Sequence, residues 1–125
     1  MADLYASMAP DLRPEVYVCP SSSDAAAGGA TTQAVVAALS HSAASSYSYL
    51  AAARTSATVT ADQILVLEKQ DHHGGGVNVL FGDGRVEFVY ATTSAQRAAL
   101  RELLVQARGC ARPLTLPNVL TSCPR

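Results

Sequence analysis

The sequence predicts an α+β domain: a small antiparallel β-sheet of about four strands, a meander with an Asp-Gly hairpin, packed against one or two helices. Three observations carry this. Residues 77–90, VNVLFGDGRVEFVY, alternate on both sides of Asp83-Gly84, a strong short-range hairpin signal. Residues 63–69, QILVLEK, are a continuous apolar run whose shortness favours a buried strand over a helix. Residues 95–107 set Leu100, Leu103, Leu104 and Ala107 at helical spacing, with Arg97, Arg101 and Arg108 facing outward and Gly109 as a stop.

In chain order, residues 3–8 read as the end of a helix, halted by Pro10 and Pro14. Residues 15–19, EVYVC, alternate and have strand character, and residues 20–30 are a loop of Pro, Ser, Asp and Gly. Thr31 or Thr32 caps a helix over about 33–40 that carries Val35, Val36 and Leu39. Residues 46–52, SYSYLAA, alternate Ser with Tyr and read as a strand. After the strand at 63–69, DHHGGG makes a loop, or a place where another backbone comes close, because three glycines offer nothing to pack.

With Asp83 and Gly84 as a two-residue type I′ turn, strands 77–82 and 85–90 pair Gly82 with Arg85, Phe81 with Val86, Val79 with Phe88 and Val77 with Tyr90. Side chains alternate across a strand, so Val77, Val79, Phe81, Val86, Phe88 and Tyr90 then share one face. The helix at 95–107, capped by Thr93 or Ser94, is expected on that face over Val79, Phe81, Val86 and Phe88. Residues 114–124 read as an irregular tail. The whole chain, 1–125, is expected to be one domain: an irregular and helical part at 1–45, the sheet at 46–90, and the helix and tail at 91–125.

Composition narrows the function. The chain has 125 residues, 9 basic and 10 acidic, a net charge of -1 and only 15% charged side chains. That near-neutral balance, without a basic cluster in the linear sequence, argues against a nucleic-acid or anionic-membrane partner. The longest apolar run, residues 34–39, is six residues, against about 20 for a membrane-spanning helix. The first residues carry neither the basic start nor the apolar stretch of a signal peptide. Alanine supplies 23 residues and Ser plus Thr 21, so the core must come from the few segments rich in Val, Leu, Ile, Phe and Tyr.

Three cysteines, Cys19, Cys110 and Cys123, form no CxxC pair, which excludes a thiol redox motif and a four-thiolate zinc site. Cys110 and Cys123 flank a Pro-containing tail and are a candidate disulfide, beside the alternative that all three are reduced. His72 and His73 invite a metal reading with Asp71, Asp83 or Cys19 as a third ligand, but adjacent histidines point in different directions and no spacing supports the set. His73 and Asp83 bracket a strand of about 20 Å, which argues against an acid–base pair. No phosphate-loop, GxSxG, CxxH or HExxH pattern occurs, so no catalytic residue is assigned and no cofactor is implied.

DHHGGGVNVLFGDGRVEFV resembles the signature of prepilin-like, pseudopilin-like proteins of planctomycete-type bacteria: a His, nine intervening residues, then Asp-Gly. Here these are His73, residues 74–82, and Asp83-Gly84; Gly74, Gly75, Gly76 and Asn78 lie within the signature. VYVCPSSSD, residues 16–24, resembles the Cys-Pro-Ser-Asp element that precedes it, and SYSYL, residues 46–50, the aromatic-rich strand between them. Gly82 and Arg85 stand where that family commonly has Ala and His, and the helix and Cys-containing tail extend beyond the signature.

The resemblance implies a non-enzymatic structural part, the extracytoplasmic (periplasmic or cell-envelope) domain of a type II secretion or type IV pilus-like system. It would act through protein partners in a homo- or hetero-oligomeric filament or secretion assembly. Family members are membrane-anchored by an N-terminal apolar helix, and this sequence reads either as an excised soluble domain without it or as a stand-alone relative with another role. From a different class, the alternative is a small ligand- or metal-ion-binding module built on the loop from His72 to Gly76.

Overall fold

A computed structural model describes residues 13–39, 44–50, 55, 57–70, 72–108 and 113–122. The chain clusters into two compact units, Met1–Tyr47 and Ser48–Arg125. The helix end expected at residues 3–8 and the candidate disulfide Cys110–Cys123 lie outside the described residues.

In the first unit, Pro14–Tyr17 is a short 3-10 helix where the sequence suggested a strand. Proline explains the difference. At the first helical position its fixed φ suits a helical turn and its missing N–H costs nothing. Val16 and Val18 N–H then bond back to the carbonyls of Arg13 and Glu15. The turn buries Tyr17 and leaves Val16 at 55% exposure, the reverse of what an EVYVC strand with its valines inward requires. Helix α1, Thr32–Leu39, follows. Thr31 is its cap: its Oγ1 accepts from Ala34 N–H at 3.2 Å. Val35 and Leu39, one turn apart, close a small core with Tyr17, Ala27 and Ala44.

The second unit carries the expected α+β architecture. The strands are β1 (Tyr47–Tyr49), β2 (Ile64–Glu68), β3 (Gly76–Phe81), β4 (Val86–Tyr90) and β5 (Thr121–Ser122), with α2 (Ser94–Arg108) between the last two. They lie in the order β1-β2-β3-β4-β5, and β2 through β5 pair antiparallel. The first four strands form the meander; β5, inside the stretch read as an irregular tail, adds two residues to the outer edge of β4. Its signal is too short for sequence periodicity to register.

α2 starts with a capping box. Thr93 Oγ1 accepts from Gln96 N–H at 3.2 Å, and Gln96 Oε1 accepts from Thr93 N–H at 3.1 Å. Leu100, Leu103 and Ala107 are buried against Ile64, Leu67, Val77, Val79, Phe81 and Val89, with Leu104 packed at the border. This is the apolar stripe expected from its spacing.

The hairpin departs from expectation by one residue. Val77 faces Val89, Val79 faces Glu87 and Leu80 faces Val86. Phe81 N–H bonds to Arg85 O, and Gly84 N–H to Phe81 O, so Gly82, Asp83 and Gly84 form a three-residue loop in place of a two-residue type I′ turn. Of the two glycines in the loop, Gly84 takes positive φ, at 86°, and Gly82 does not. This arrangement, a turn followed by a left-handed glycine, is the next most common hairpin closure. Asp83 reinforces it by accepting from Arg85 N–H at 3.1 Å.

One residue of slip exchanges the faces of β4. Val89 joins Val77, Val79 and Phe81 under α2, while Val86, Phe88 and Tyr90 move to the opposite face, Val86 at 66% exposure. The placement of α2 over Val86 and Phe88 is therefore corrected, and that over Val79 and Phe81 holds. Gly84→Val should cost about 1–2 kcal/mol in an equilibrium urea melt, since a β-branched residue disfavours positive φ, whereas Gly84→Asn should be nearly neutral because the space around the position is open.

β2 also carries an irregularity. Ile64 pairs with Phe81, but Val66 pairs with Leu80 and Leu67 with Val79, so one extra residue is inserted near Leu65. Beyond this bulge Leu67 points to the α2 side and is fully buried, and Glu68 falls on the other face beside Asn78.

Candidate functional site

Within the second unit the signature histidine is held by a residue outside the signature. Glu68, the last residue of β2, has no solvent exposure. One carboxyl oxygen lies 2.9 Å from His73 Nε2. The other accepts Asn78 backbone N–H at 2.6 Å, with Asn78 Nδ2 3.4 Å away. Asn78 Nδ2 is also 3.3 Å from His73 Nε2. In the tautomer with its proton on Nε2, His73 donates to Glu68, and Asn78 directs its amide protons to the second oxygen. Glu68, His73 and Asn78 thus tie the end of β2, the 72–75 turn and β3 into one hydrogen-bonded unit.

Aromatic packing flanks it. The His73 ring meets Phe88 edge-on at 5.8 Å, and Phe88 meets Tyr90 at 5.0 Å, also edge-on. The three glycines are not equivalent. A Cβ on Gly74 or Gly75 would meet nothing, whereas one on Gly76 would collide with Val89 O and the Phe88 ring. Gly76 is the place of close backbone approach that the glycine run suggested; it opens β3, paired with Tyr90.

Asp83, at the other end of β3, belongs to a separate cluster. The Arg85 guanidinium bonds Asp83 Oδ2 at 2.6 Å, Asp62 Oδ1 at 3.1 Å and Ala61 O at 3.2 Å. It also lies 3.3 Å from Glu87 and 4.0 Å over the Phe81 ring. The Arg85 backbone N–H, and then its guanidinium, hold the Asp83 carboxyl below its ordinary 3.8. A depressed pKa contributes stability that is present above 3.8 and lost as pH falls through the lower folded value. Asp83→Asn should therefore lower the urea midpoint slightly at neutral pH and converge with wild type once pH falls below the lowered folded value, so that the slope between that value and 3.8 flattens.

Gly82 and Arg85 both face the same short turn. A Cβ on Gly82 would collide with Thr60 O and Val59, and Arg85 reaches Ala61 and Asp62. Glycine at position 82 is thus required by the close approach of the 59–62 turn, and Arg85 bonds to that turn.

The first unit contains residues 16–24 and the first two residues of SYSYL, and Ser46 joins them. Ser46, fully buried, accepts Cys19 N–H at 2.9 Å and donates to Asp24 Oδ2 at 2.7 Å. Its own N–H bonds Tyr17 O. Ser22 donates to Cys19 O at 2.8 Å and accepts Asp24 N–H at 3.2 Å. The loop from Cys19 to Asp24 is thus folded around Ser46, the first serine of SYSYL.

Sequence reasoning did not single out Glu68 or Ser46. For Glu68 a signal existed: a carboxylate inside a strand read as buried requires polar partners within reach, and His72 and His73 are the next candidates along the chain. The described helices include none long and apolar enough to cross a membrane. No family model, curated protein or solved structure matches the chain.

Proposed function

We propose that the chain is a non-enzymatic structural component that resembles the extracytoplasmic domain of a type II secretion or type IV pilus-like pseudopilin and acts through protein–protein contacts in an oligomeric assembly. One observation carries this reading: the polar residues of the signature are used in internal bonds. His73 and Asn78 both converge on Glu68, and Asp83 is held by Arg85. In this reading the signature fastens the sheet, and the working surface of the domain lies elsewhere.

The test is genetic and biochemical. Deletion of the coding sequence in the source organism should remove surface filaments or a set of secreted proteins, and the wild-type chain should restore them. Unchanged filaments and an unchanged secretome would reject the reading. The ion-binding alternative is read in the same preparation: stoichiometric metal in the purified chain, lost in His73→Ala, would replace the structural reading with that one.

A further inference from the structure

α2 carries a feature that the signature does not need. Beside the end of β2, a groove of about 470 Å³ runs along the helix. Lys69, Arg97, Arg101 and Arg108 rim it, Leu104 and Val105 line its floor, and none of its described lining residues is acidic. Four of the chain's nine basic residues meet here. The basic cluster missing from the linear sequence is made by folding, because spacings of four and seven residues return Arg97, Arg101 and Arg108 to one side of the helix.

Helix stability does not account for this arrangement. Arg97 lies near the N-terminus of α2, where a positive charge opposes the helix dipole. Arg97 and Arg101 are a like-charged pair one turn apart, which is also unfavourable. Among the described residues, the guanidinium groups of Arg97, Arg101 and Arg108 have no hydrogen bond or ion pair. Val105, one of the lining residues, stands 61% exposed. The site therefore offers an aliphatic surface flanked by three arginine guanidinium groups without partners among the described residues.

We infer that this groove docks an acidic segment of a partner protein, with an apolar side chain seated over Leu104 and Val105 and flanking Asp or Glu residues paired with the arginines. Charge complementarity fixes the sign of the occupant. The aliphatic floor distinguishes a peptide from a nucleic acid, which would use aromatic stacking surfaces for its bases; the groove lining contains none. Its concave shape suits a single inserted side chain better than a flat lipid surface. The inference rests on α2 and the adjoining Lys69 and is independent of the pseudopilin resemblance.

The experiment uses the full chain and a short fluorescein-labelled peptide with Asp and Glu flanking a central Leu, read by fluorescence anisotropy at low and moderate salt. Binding should weaken as salt rises, and should fall by about tenfold or more in Arg97→Glu/Arg101→Glu. Val105→Ser, at an exposed position, should weaken it several-fold with an unchanged melting temperature. Arg97→Gln/Arg101→Gln serves if the reversed pair disturbs the helix. No binding by the wild-type chain, or equal binding by both arginine variants, overturns the inference. So does a preference for phosphatidylglycerol vesicles or single-stranded RNA over the peptide, which would assign the groove to a different occupant.

Discussion

Glu68→Ala should lower stability by about 3 kcal/mol, a loss on the order of 10 °C in melting temperature for a domain of this size. The substitution strips Asn78 N–H of its acceptor and His73 of its partner at once, and leaves a void at a position with no solvent exposure. The asymmetry between removing and replacing a buried partner makes the prediction specific. Glu68→Gln keeps the volume and one acceptor oxygen, so it should cost only about 1 kcal/mol. Equal melting temperatures for wild type and Glu68→Ala would show that the cluster does not hold the sheet.

Gly76→Ala should be comparably damaging, about 3 kcal/mol or more, for a different reason. The new methyl group would occupy the space of Val89 O, a backbone atom of β4 that cannot step aside without opening the hairpin. Gly75→Ala, one position earlier, meets nothing and should be within about 0.5 kcal/mol of wild type, because it also narrows the unfolded ensemble. Adjacent glycines with opposite tolerances, read by paired urea melts, test the backbone approach directly. Two similar midpoints would contradict it.

These residues also mark how far the sequence was legible. The α2 stripe, the Thr93 cap and the existence of β2, β3 and β4 were readable because each follows from local periodicity or local chemistry. The faces of β4 were not. Val86, Phe88 and Tyr90 alternate as a core strand would, and a two-residue turn would have placed them inward. The Gly82-Asp83-Gly84 loop prevailed: it asks for positive φ at Gly84 and it admits the close contact of Gly82 with Thr60. Phe88 then packs on His73 and Tyr90 outside the α2 core. EVYVC failed similarly, since Pro14 starts a helical turn irrespective of the alternation that follows. The Glu68 cluster stayed hidden because its partners come from three elements, and their meeting depends on the strand register. The groove on α2 required Lys69, 28 residues before Arg97, to be brought beside the helix.

The inserted residue in β2 acts as a frame shift written in three dimensions. Ahead of it, even-numbered positions face α2; after it, odd-numbered positions do. A sheet of the same design without the insertion would deliver the carboxylate of position 68 into the apolar interior and turn Leu67 away from it. Any sequence that keeps this architecture but lacks the spare residue must therefore move its acid by one place along the strand to meet the same histidine. Comparison of such chains by position alone would score the two acids as unrelated, although they perform one task.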